Sequence, residues 1–414
     1  LTAESQATVT AFLTRLDHPV ARSLAAEIVQ TPQSSVDHVF LRTIGRFWGE
    51  QGVVDSLIIP DFWREGIETA LHIVKAKPAR SIIVTGEPRV GKTAFLKLLA
   101  LRLETDGWQV LEAGGADLMA GQQWFGQLEG RIQALVGQLA AEKRLVWYIP
   151  DILPLAMSGT HQGQAASILD QIMPAIAAGR LIVWAETSPA AVTRLLRLRP
   201  SLRGLFDLVR LEPQSPEETL GIAKTLAQRL TDGDGPKIEP GSIETAIGAA
   251  KQYLTAASFP GAGLDLLKLA YGRAAKAGAK SLGPPDVIAT LSQLTGLPEA
   301  ILDTRERVDL GEVRKYFTDR VIGQDEAVAA VVDRIAMLKA GLNDPGKPIG
   351  VFLFAGPTGT GKTELAKTLA EYLFGSVDRL VRLDMSEFQS FDSTGKILGA
   401  GEAAGGTESL LSLV

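Results

Sequence analysis

Gly86-Glu87-Pro88-Arg89-Val90-Gly91-Lys92-Thr93 and Gly356-Pro357-Thr358-Gly359-Thr360-Gly361-Lys362-Thr363 both fit the pattern Gly-x-x-x-x-Gly-Lys-Thr. Each follows an apolar run, Ser81-Ile82-Ile83-Val84 in one case and Val351-Phe352-Leu353-Phe354 in the other, and each opens a helix-like stretch. In a strand, glycine-rich turn and helix, successive backbone N–H groups converge on phosphate oxygens, with the positive end of the helix dipole behind them. Lys92 or Lys362 then reaches the β- and γ-phosphates, and Thr93 or Thr363 is placed to ligate Mg²⁺. A single match also fits a ligand-free turn. Two matches in the same strand–turn–helix context select the phosphate-binding reading, and the expected cofactors are ATP or ADP with Mg²⁺.

The two lysines lie 362 − 92 = 270 positions apart. That spacing suits two successive α/β modules, each a doubly wound parallel sheet. Residues 1–55 read as a helical N-terminal segment in which Phe12, Leu13, Leu16, Val20 and Leu24 form an apolar stripe. Residues 56–212 read as the large part of the first module and 213–294 as its helical small subdomain. The latter opens at Ser215-Pro216-Glu217-Glu218, a capping-box pattern, and is interrupted by a loop, Thr231-Asp232-Gly233-Asp234-Gly235-Pro236. Residues 295–320 read as a linker and 321–414 as the large part of the second module. The chain starts at Leu1 and stops in Leu410-Leu411-Ser412-Leu413-Val414. It therefore reads as a fragment of a longer protein.

Of 414 residues, 46% are apolar and 21% charged, with a net charge of −5. That is the composition of an ordinary globular chain of several domains. The acidic balance and the lack of long Lys/Arg blocks argue against nucleic acid or a membrane surface as partner. No apolar run approaches the ~18 residues of a membrane span. There are no cysteines, which excludes disulfides and thiolate chemistry and fits a cytoplasmic location. His18, His38, His72 and His161 show no metal-ligand spacing.

Hydrolysis needs a carboxylate near the metal and usually a base for the attacking water. In the first module the candidate strand is Leu145-Val146-Trp147-Tyr148-Ile149, followed by Pro150-Asp151. Asp151 is read either as an Mg²⁺ group or as a loop-capping residue. Trp147, Tyr148 and Trp184 lie on strand patterns and read as core. In the second module Asp384 follows the P-loop helix too directly to be the metal acid, and no later strand with terminal acids appears, so the second site reads as incomplete in this sequence.

The residues at this point resemble a known family. Val321-Ile322-Gly323-Gln324-Asp325-Glu326-Ala327-Val328, Pro348-Ile349-Gly350, the second P-loop, Glu364-Leu365-Ala366-Lys367 and Leu383-Asp384-Met385-Ser386-Glu387-Phe388 are together similar to the second ATPase module of Clp-type AAA+ unfoldases (the ClpA/ClpB family). Thr295-Gly296-Leu297-Pro298 resembles that family's connector. The first module is similar more loosely, through Gly86-Glu87-Pro88, Val90-Gly91-Lys92-Thr93-Ala94 and Glu212-Pro213. The resemblance implies ATP-powered homo-hexameric rings that thread protein substrates, with or without a protease or adaptor partner. It places Ala94 and Glu364 beside the nucleotide and Val321 and Ile322 in the adenine pocket, although two apolar residues before a glycine also read as plain core. It makes Trp124 and Phe125 an aromatic pore loop, or else Trp124 packs beneath that loop. Thr187 falls at the sensor position.

Several positions depart from the family's pattern. An Asp-Glu pair becomes Pro150-Asp151, and the arginines that act across the subunit interface fall at Gly204-Leu205, leaving Arg203 nearby. The second pore loop becomes Gly401-Glu402-Ala403-Ala404-Gly405-Gly406, without an aromatic. The expectation is thus an ATP-hydrolysing remodelling subunit whose first site is degenerate and mainly structural. The alternative is a nucleotide-controlled assembly scaffold with little threading.

Overall fold

A computed structural model of the chain describes residues 36–51, 57–58, 60–120, 125–157, 167–231, 235–254, 257–303, 305, 308–342 and 347–388, with isolated positions between 9 and 20. The chain divides into two compact units, Leu1–Gln214 and Ser215–Val414.

The first unit is built on β1 (Arg46–Phe47), β2 (Ser81–Thr85), β3 (Gln109–Glu112), β4 (Leu145–Ile149), β5 (Ile182–Thr187) and β6 (Phe206–Arg210). They lie in the order β1-β3-β4-β5-β2-β6. Only β1 runs antiparallel to its neighbour; the other pairs are parallel. Parallel strands covered on both faces require continuous apolar runs. Strands β2, β4 and β5 accordingly bury every residue.

Because side chains alternate along a strand, each run feeds two cores. Ile83, Trp147, Ile149, Val183 and Ala185 pack on one face with residues of α3 (Phe125–Ala141), α4 (Ile168–Ala177) and α5 (Pro189–Leu198). Ile82, Val84, Val146, Tyr148 and Trp184 pack on the other face, against α1 (Arg64–Lys75) and α2 (Lys92–Glu104). The strand order reverses around β2, and the carboxyl end of such a strand is where open α/β sheets form their ligand crevice. The first P-loop leaves β2 there.

Helix α4 is held by a tight ion pair. Asp170 accepts from Arg199 Nε at 2.6 Å and Nη2 at 2.7 Å, while Ser167 and Asp170 form a reciprocal cap. The Arg199 hydrogen bonds hold the Asp170 carboxyl at about 2, against an ordinary 3.8. A depressed carboxylate stabilises above its unfolded pKa and loses that contribution as pH falls through its folded value. We expect Asp170→Asn to cost about 2 kcal/mol at neutral pH. The difference from wild type should close between about pH 4 and pH 2. Urea unfolding monitored by tryptophan fluorescence tests this, and a pH-independent difference would refute it. All six tryptophans precede residue 215, so the signal reports the first unit alone.

The second unit opens with α6 (Pro216–Thr231), α7 (Ser242–Tyr253), α8 (Gly261–Lys276) and α9 (Pro284–Thr295). A two-stranded parallel pair, β7 (Lys237–Ile238) and β8 (Ser281–Leu282), ties their loops. The capping box at its start is reciprocal: Ser215 N donates to Glu218 Oε2 at 2.8 Å, and Glu218 N to Ser215 Oγ at 3.1 Å. Then come α10 (Leu310–Thr318), α11 (Asp325–Lys339) and α12 (Lys362–Phe374).

Four expectations change. The stretch 36–51 is not purely helical: after the helix His38–Ile44 it supplies edge strand β1, with Arg46 opposite Glu112. A two-residue strand carries no periodicity to read. Of the N-terminal apolar stripe, Phe12, Leu16 and Val20 are exposed, and Leu24 lies outside the described residues. The stretch 295–320 is no bare linker, since Val313 and Phe317, one helical turn apart, are buried with Ile301, Val321, Val331, Ile335 and Leu365. Finally, Val351–Phe354 joins no sheet among the described residues, and Leu353 is 94% exposed. Such an apolar run is buried only by strand neighbours, which the described residues do not supply.

Candidate functional site

The two phosphate loops adopt one conformation from different sequences. In the first, Lys92 Nζ folds back to donate to Gly86 O at 2.9 Å and Glu87 O at 3.0 Å. In the second, Lys362 Nζ donates to Gly356 O at 2.7 Å and Pro357 O at 2.6 Å. Each lysine thus closes a ring over the same two carbonyl positions. Gly91 (φ +102°) and Gly361 (φ +88°) sit in the left-handed region immediately before α2 and α12, turning the helix N-termini towards the loop. Arg89 takes the place of Gly359 and holds the same left-handed conformation, φ 68° against 85°. For a residue with a Cβ this costs about 1–2 kcal/mol.

Space at the first loop is tight. A Cβ on Gly86 would lie 2.6 Å from Leu211 O and 2.8 Å from Val90 Cγ1. Glu87, Pro88 and Arg89 form the exposed crest, Val90 is buried, and Thr93 and Ala94 open α2. In the second loop Pro357, Thr358 and Gly359 are exposed; Thr360 donates to Pro357 O at 3.0 Å, and Thr363 and Glu364 are exposed at the start of α12.

Trp63 was not read from the sequence at all, and Val321 was read as an adenine-pocket or core residue without its packing on the loop. Trp63, at the entry to α1, lies 2.8 Å from the position a Gly91 Cβ would take. Val321, shortly before α11, lies 3.6 Å from the equivalent position at Gly361. Each loop glycine therefore packs beneath a residue leading into the preceding helix. Val321 is core, at 4% exposure, and touches the loop as well, whereas Ile322 is 86% exposed. Trp63 also meets Phe95 edge-on at 5.8 Å, which ties α1 to α2.

Behind the first loop is a buried carboxylate. Glu186 on β5 is 7% exposed, and its Oε1 accepts from Thr93 Oγ1 at 2.7 Å and from the Tyr148 hydroxyl. Burial pushes the Glu186 carboxyl up, while the bonds from Tyr148 and Thr93 and the charge of Lys92 pull it down. Burial and the Glu186 charge push the Tyr148 hydroxyl up. Tyr148 is core, as its strand pattern suggests, and in addition it contacts the candidate site. Among the described residues, the buried side-chain polar atoms without a partner are Thr85 Oγ1, Trp184 Nε1 and Glu186 Oε2, all on β2 and β5. Such an atom costs about 1–3 kcal/mol if left unsatisfied.

Asp151 follows β4 and is exposed. Its Oδ1 accepts from Leu153 N at 3.1 Å and from Thr187 Oγ1 at 3.1 Å. It caps the following turn and also joins Thr187, so Asp151 and Thr187 come together at the carboxyl ends of β4 and β5. Arg203 is exposed at the opposite end of the sheet, because Phe206 is in register with Ser81, the first residue of β2. It is not brought to the phosphate loop of its own chain. Trp124 and Gly401–Gly406 lie outside the described residues, as does the Phe125 side chain.

The residues fit a nucleotide with its metal. A Cβ would fill the cradle at Gly86 and Gly91 of the first loop, each lysine bonds two loop carbonyls, and Thr93 and Thr363 open the helices. Lys92, Lys362, Thr93 and Thr363 would hold the β- and γ-phosphates and the ion.

A family model for the AAA domain (Cdc48 subfamily) matches residues 347–410. The chain is 26% identical to the chaperone protein ClpB of Aquifex aeolicus, covering 84% of this chain and 46% of that one. It is 26% identical to the Clp protease ATP-binding subunit ClpE of Streptococcus pneumoniae, covering 90% and 57%. Among solved structures it is similar to Hsp104 in a closed state with ATPγS and FITC-casein, with a TM-score of 0.65, 25% identity and coverage of 88% of this chain and 64% of that one. The S. cerevisiae Hsp104–ADP complex gives a TM-score of 0.63 at 26% identity, covering 89% and 63%. The chain spans about half the length of the curated relatives it matches.

Proposed function

The chain belongs to the Clp/Hsp100 family of AAA+ ATPases, and from that premise we propose that it is an ATP-dependent ring subunit that remodels protein substrates. The observation that carries this reading is the pair of loops, each closed by its lysine over the same two carbonyl positions. Nucleotide phosphates would exchange with those carbonyls as the lysines' acceptors, under the backbone N–H groups of α2 and α12. Mg²⁺, when bound, neutralises charge on the β- and γ-phosphates. Thr93 and Thr363 present hydroxyls to it, and Glu87, Pro88, Arg89, Pro357 and Thr358 wrap the phosphates with backbone. Val321 and Ile322 border the adenine side of the second site, and Trp63 stands at the matching place in the first.

The first site binds ATP and turns it over slowly in this reading. Pro150 offers no carboxylate, and Asp151 is a short side chain already engaged by Leu153 and Thr187. Its role is to hold subunits together in a homo-hexamer, with Arg203 reaching a neighbouring subunit, while the second site drives the work. Trp124 and Phe125 would grip protein substrate, as the casein-bound Hsp104 relative makes reasonable. The engagement of Asp151 equally favours a second reading, a scaffold whose assembly is set by nucleotide occupancy. Partners would be protein substrates and a protease or adaptor, in the cytoplasm.

The test is nucleotide stoichiometry and steady-state ATP turnover of the full-length protein carrying Lys92→Ala or Lys362→Ala. Wild type is expected to bind two nucleotides and each variant one. Turnover should fall with Lys362→Ala, whereas Lys92→Ala should weaken self-association. If Lys92→Ala alone abolishes turnover, the first site is the motor and the assignment is reversed. Turnover that survives both substitutions would sink the ATPase reading.

A further inference from the structure

The buried acid that touches Thr93 of the first phosphate loop does not come from the strand that precedes Pro150-Asp151. It comes from the next strand. Glu186 lies on β5, which pairs with both β4 and β2, and it is opposite Val84, two residues before Gly86. From there its Oε1 takes the hydrogen bond of the Thr93 hydroxyl at 2.7 Å, and Tyr148 on β4 donates to the same oxygen. Asp151, by contrast, is exposed, and its Oδ1 is engaged by Leu153 N and the Thr187 hydroxyl.

We propose that Glu186 is the metal-positioning carboxylate of the first nucleotide site, orienting Thr93 towards the divalent cation of a bound nucleotide in place of the acid that β4 lacks. This rests on the nucleotide-binding reading of the loop. A threonine hydroxyl has one proton and two lone pairs. When the proton is given to a carboxylate, the lone pairs are left to face a cation, and outer partners of this kind fix a ligand's orientation and raise its basicity. The Tyr148 hydroxyl fixes the carboxylate in turn, and the Tyr148 ring packs on Trp48 at 4.6 Å between centroids, so the donor cannot drift. Glu186 Oε2 has no partner in its buried surroundings. A buried acceptor beside Lys92, with one oxygen unsatisfied, is a group that a nearby cation stabilises. Pairing across β4 and β5 keeps the carboxylate on the P-loop face, because Tyr148 and Glu186 lie on the side of the sheet covered by α2.

The experiment uses the full chain carrying Lys362→Ala, so that only the first site responds. Binding of a fluorescent ADP analogue (mant-ADP) is measured in EDTA and in Mg²⁺. With Glu186 intact, Mg²⁺ is expected to tighten binding. Glu186→Gln is expected to remove about tenfold to a hundredfold of that tightening, read as the ratio of the affinities in Mg²⁺ and in EDTA so that the lost charge near Lys92 cancels. A purely structural role for Glu186 would move both affinities together and overturn the proposal, as would a Mg²⁺ effect that survives Glu186→Gln. If Glu186→Gln does not fold by tryptophan fluorescence, Glu186→Asp is measured instead. The shortened carboxylate is expected to weaken the Mg²⁺ effect, and an unchanged effect overturns the proposal. If the chain with Glu186 intact binds no mant-ADP in either condition, the nucleotide reading of the first loop has failed, an outcome distinct from failure of the Glu186 role.

Discussion

A Phe95→Ala chain is expected to lose about 3–5 kcal/mol of first-unit stability. Phe95 is fully buried in the second turn of the P-loop helix and packs edge-on against Trp63, which itself covers Gly91. Removing the ring takes away the transfer free energy of a buried aromatic and opens a cavity between α1 and α2. Whole domains are stable by only about 5–15 kcal/mol, so the loop would rest on a marginal support. Phe95→Leu, which keeps most of the volume, should cost about 1.5 kcal/mol or less. Urea midpoints from tryptophan fluorescence report this unit alone. A Phe95→Ala midpoint equal to that of Phe95→Leu would show that the helix does not depend on this contact.

Gly86→Ala should damage binding more than folding. The added methyl would meet Leu211 O at 2.6 Å, and Leu211 N is itself bonded to Thr85 O at 2.8 Å. Neither backbone group can retreat without breaking the junction of β2 and β6, so the loop must shift instead. Overpacking of this kind costs about 1–3 kcal/mol. Taken from the bound state, that is about tenfold to a hundredfold in nucleotide affinity at the first site. Binding measured in the Lys362→Ala background decides it, and unchanged affinity would mean that the loop accommodates nucleotide without its present closure.

Much of the candidate site was legible because its rules are local. The P-loop glycines, lysines and threonines lie within eight residues of one another, and each lysine reaches carbonyls five and six positions back. The capping box at Ser215 is likewise complete within four residues. Strand runs such as Leu145–Ile149 declared themselves core because parallel strands buried on both faces are mostly apolar, although β2 and β5 also bury Ser81, Thr85, Glu186 and Thr187. The same logic concealed Tyr148, whose apolar ring belongs to the run while its hydroxyl belongs to the site.

Other features needed the fold. Trp63 and Val321 are assigned to their glycines by helix packing; the motif around Val321 pointed to the nucleotide pocket but not to Gly361, and nothing around Trp63 pointed to Gly91. Arg203 stands after a plausible strand and helix, and only the register of Phe206 with Ser81 places it at the far end of the sheet from its own loop. The edge strand Arg46–Phe47 is too short for any periodicity, and the helix Leu310–Thr318 lay hidden in a charged stretch whose two buried side chains, Val313 and Phe317, lie a single turn apart.

The sequence by itself determined two glycine-rich turns closed by lysines, their order and their spacing, because backbone conformation and lysine reach are set by contiguous residues. Only the tertiary structure decided which carboxylate stands behind the first turn. Thr93 and Glu186 are 93 positions apart, and Tyr148 is 38 from Glu186. They meet because the sheet order puts β5 between β4 and β2, and strand order is a property of how the apolar runs pack together rather than of any one of them.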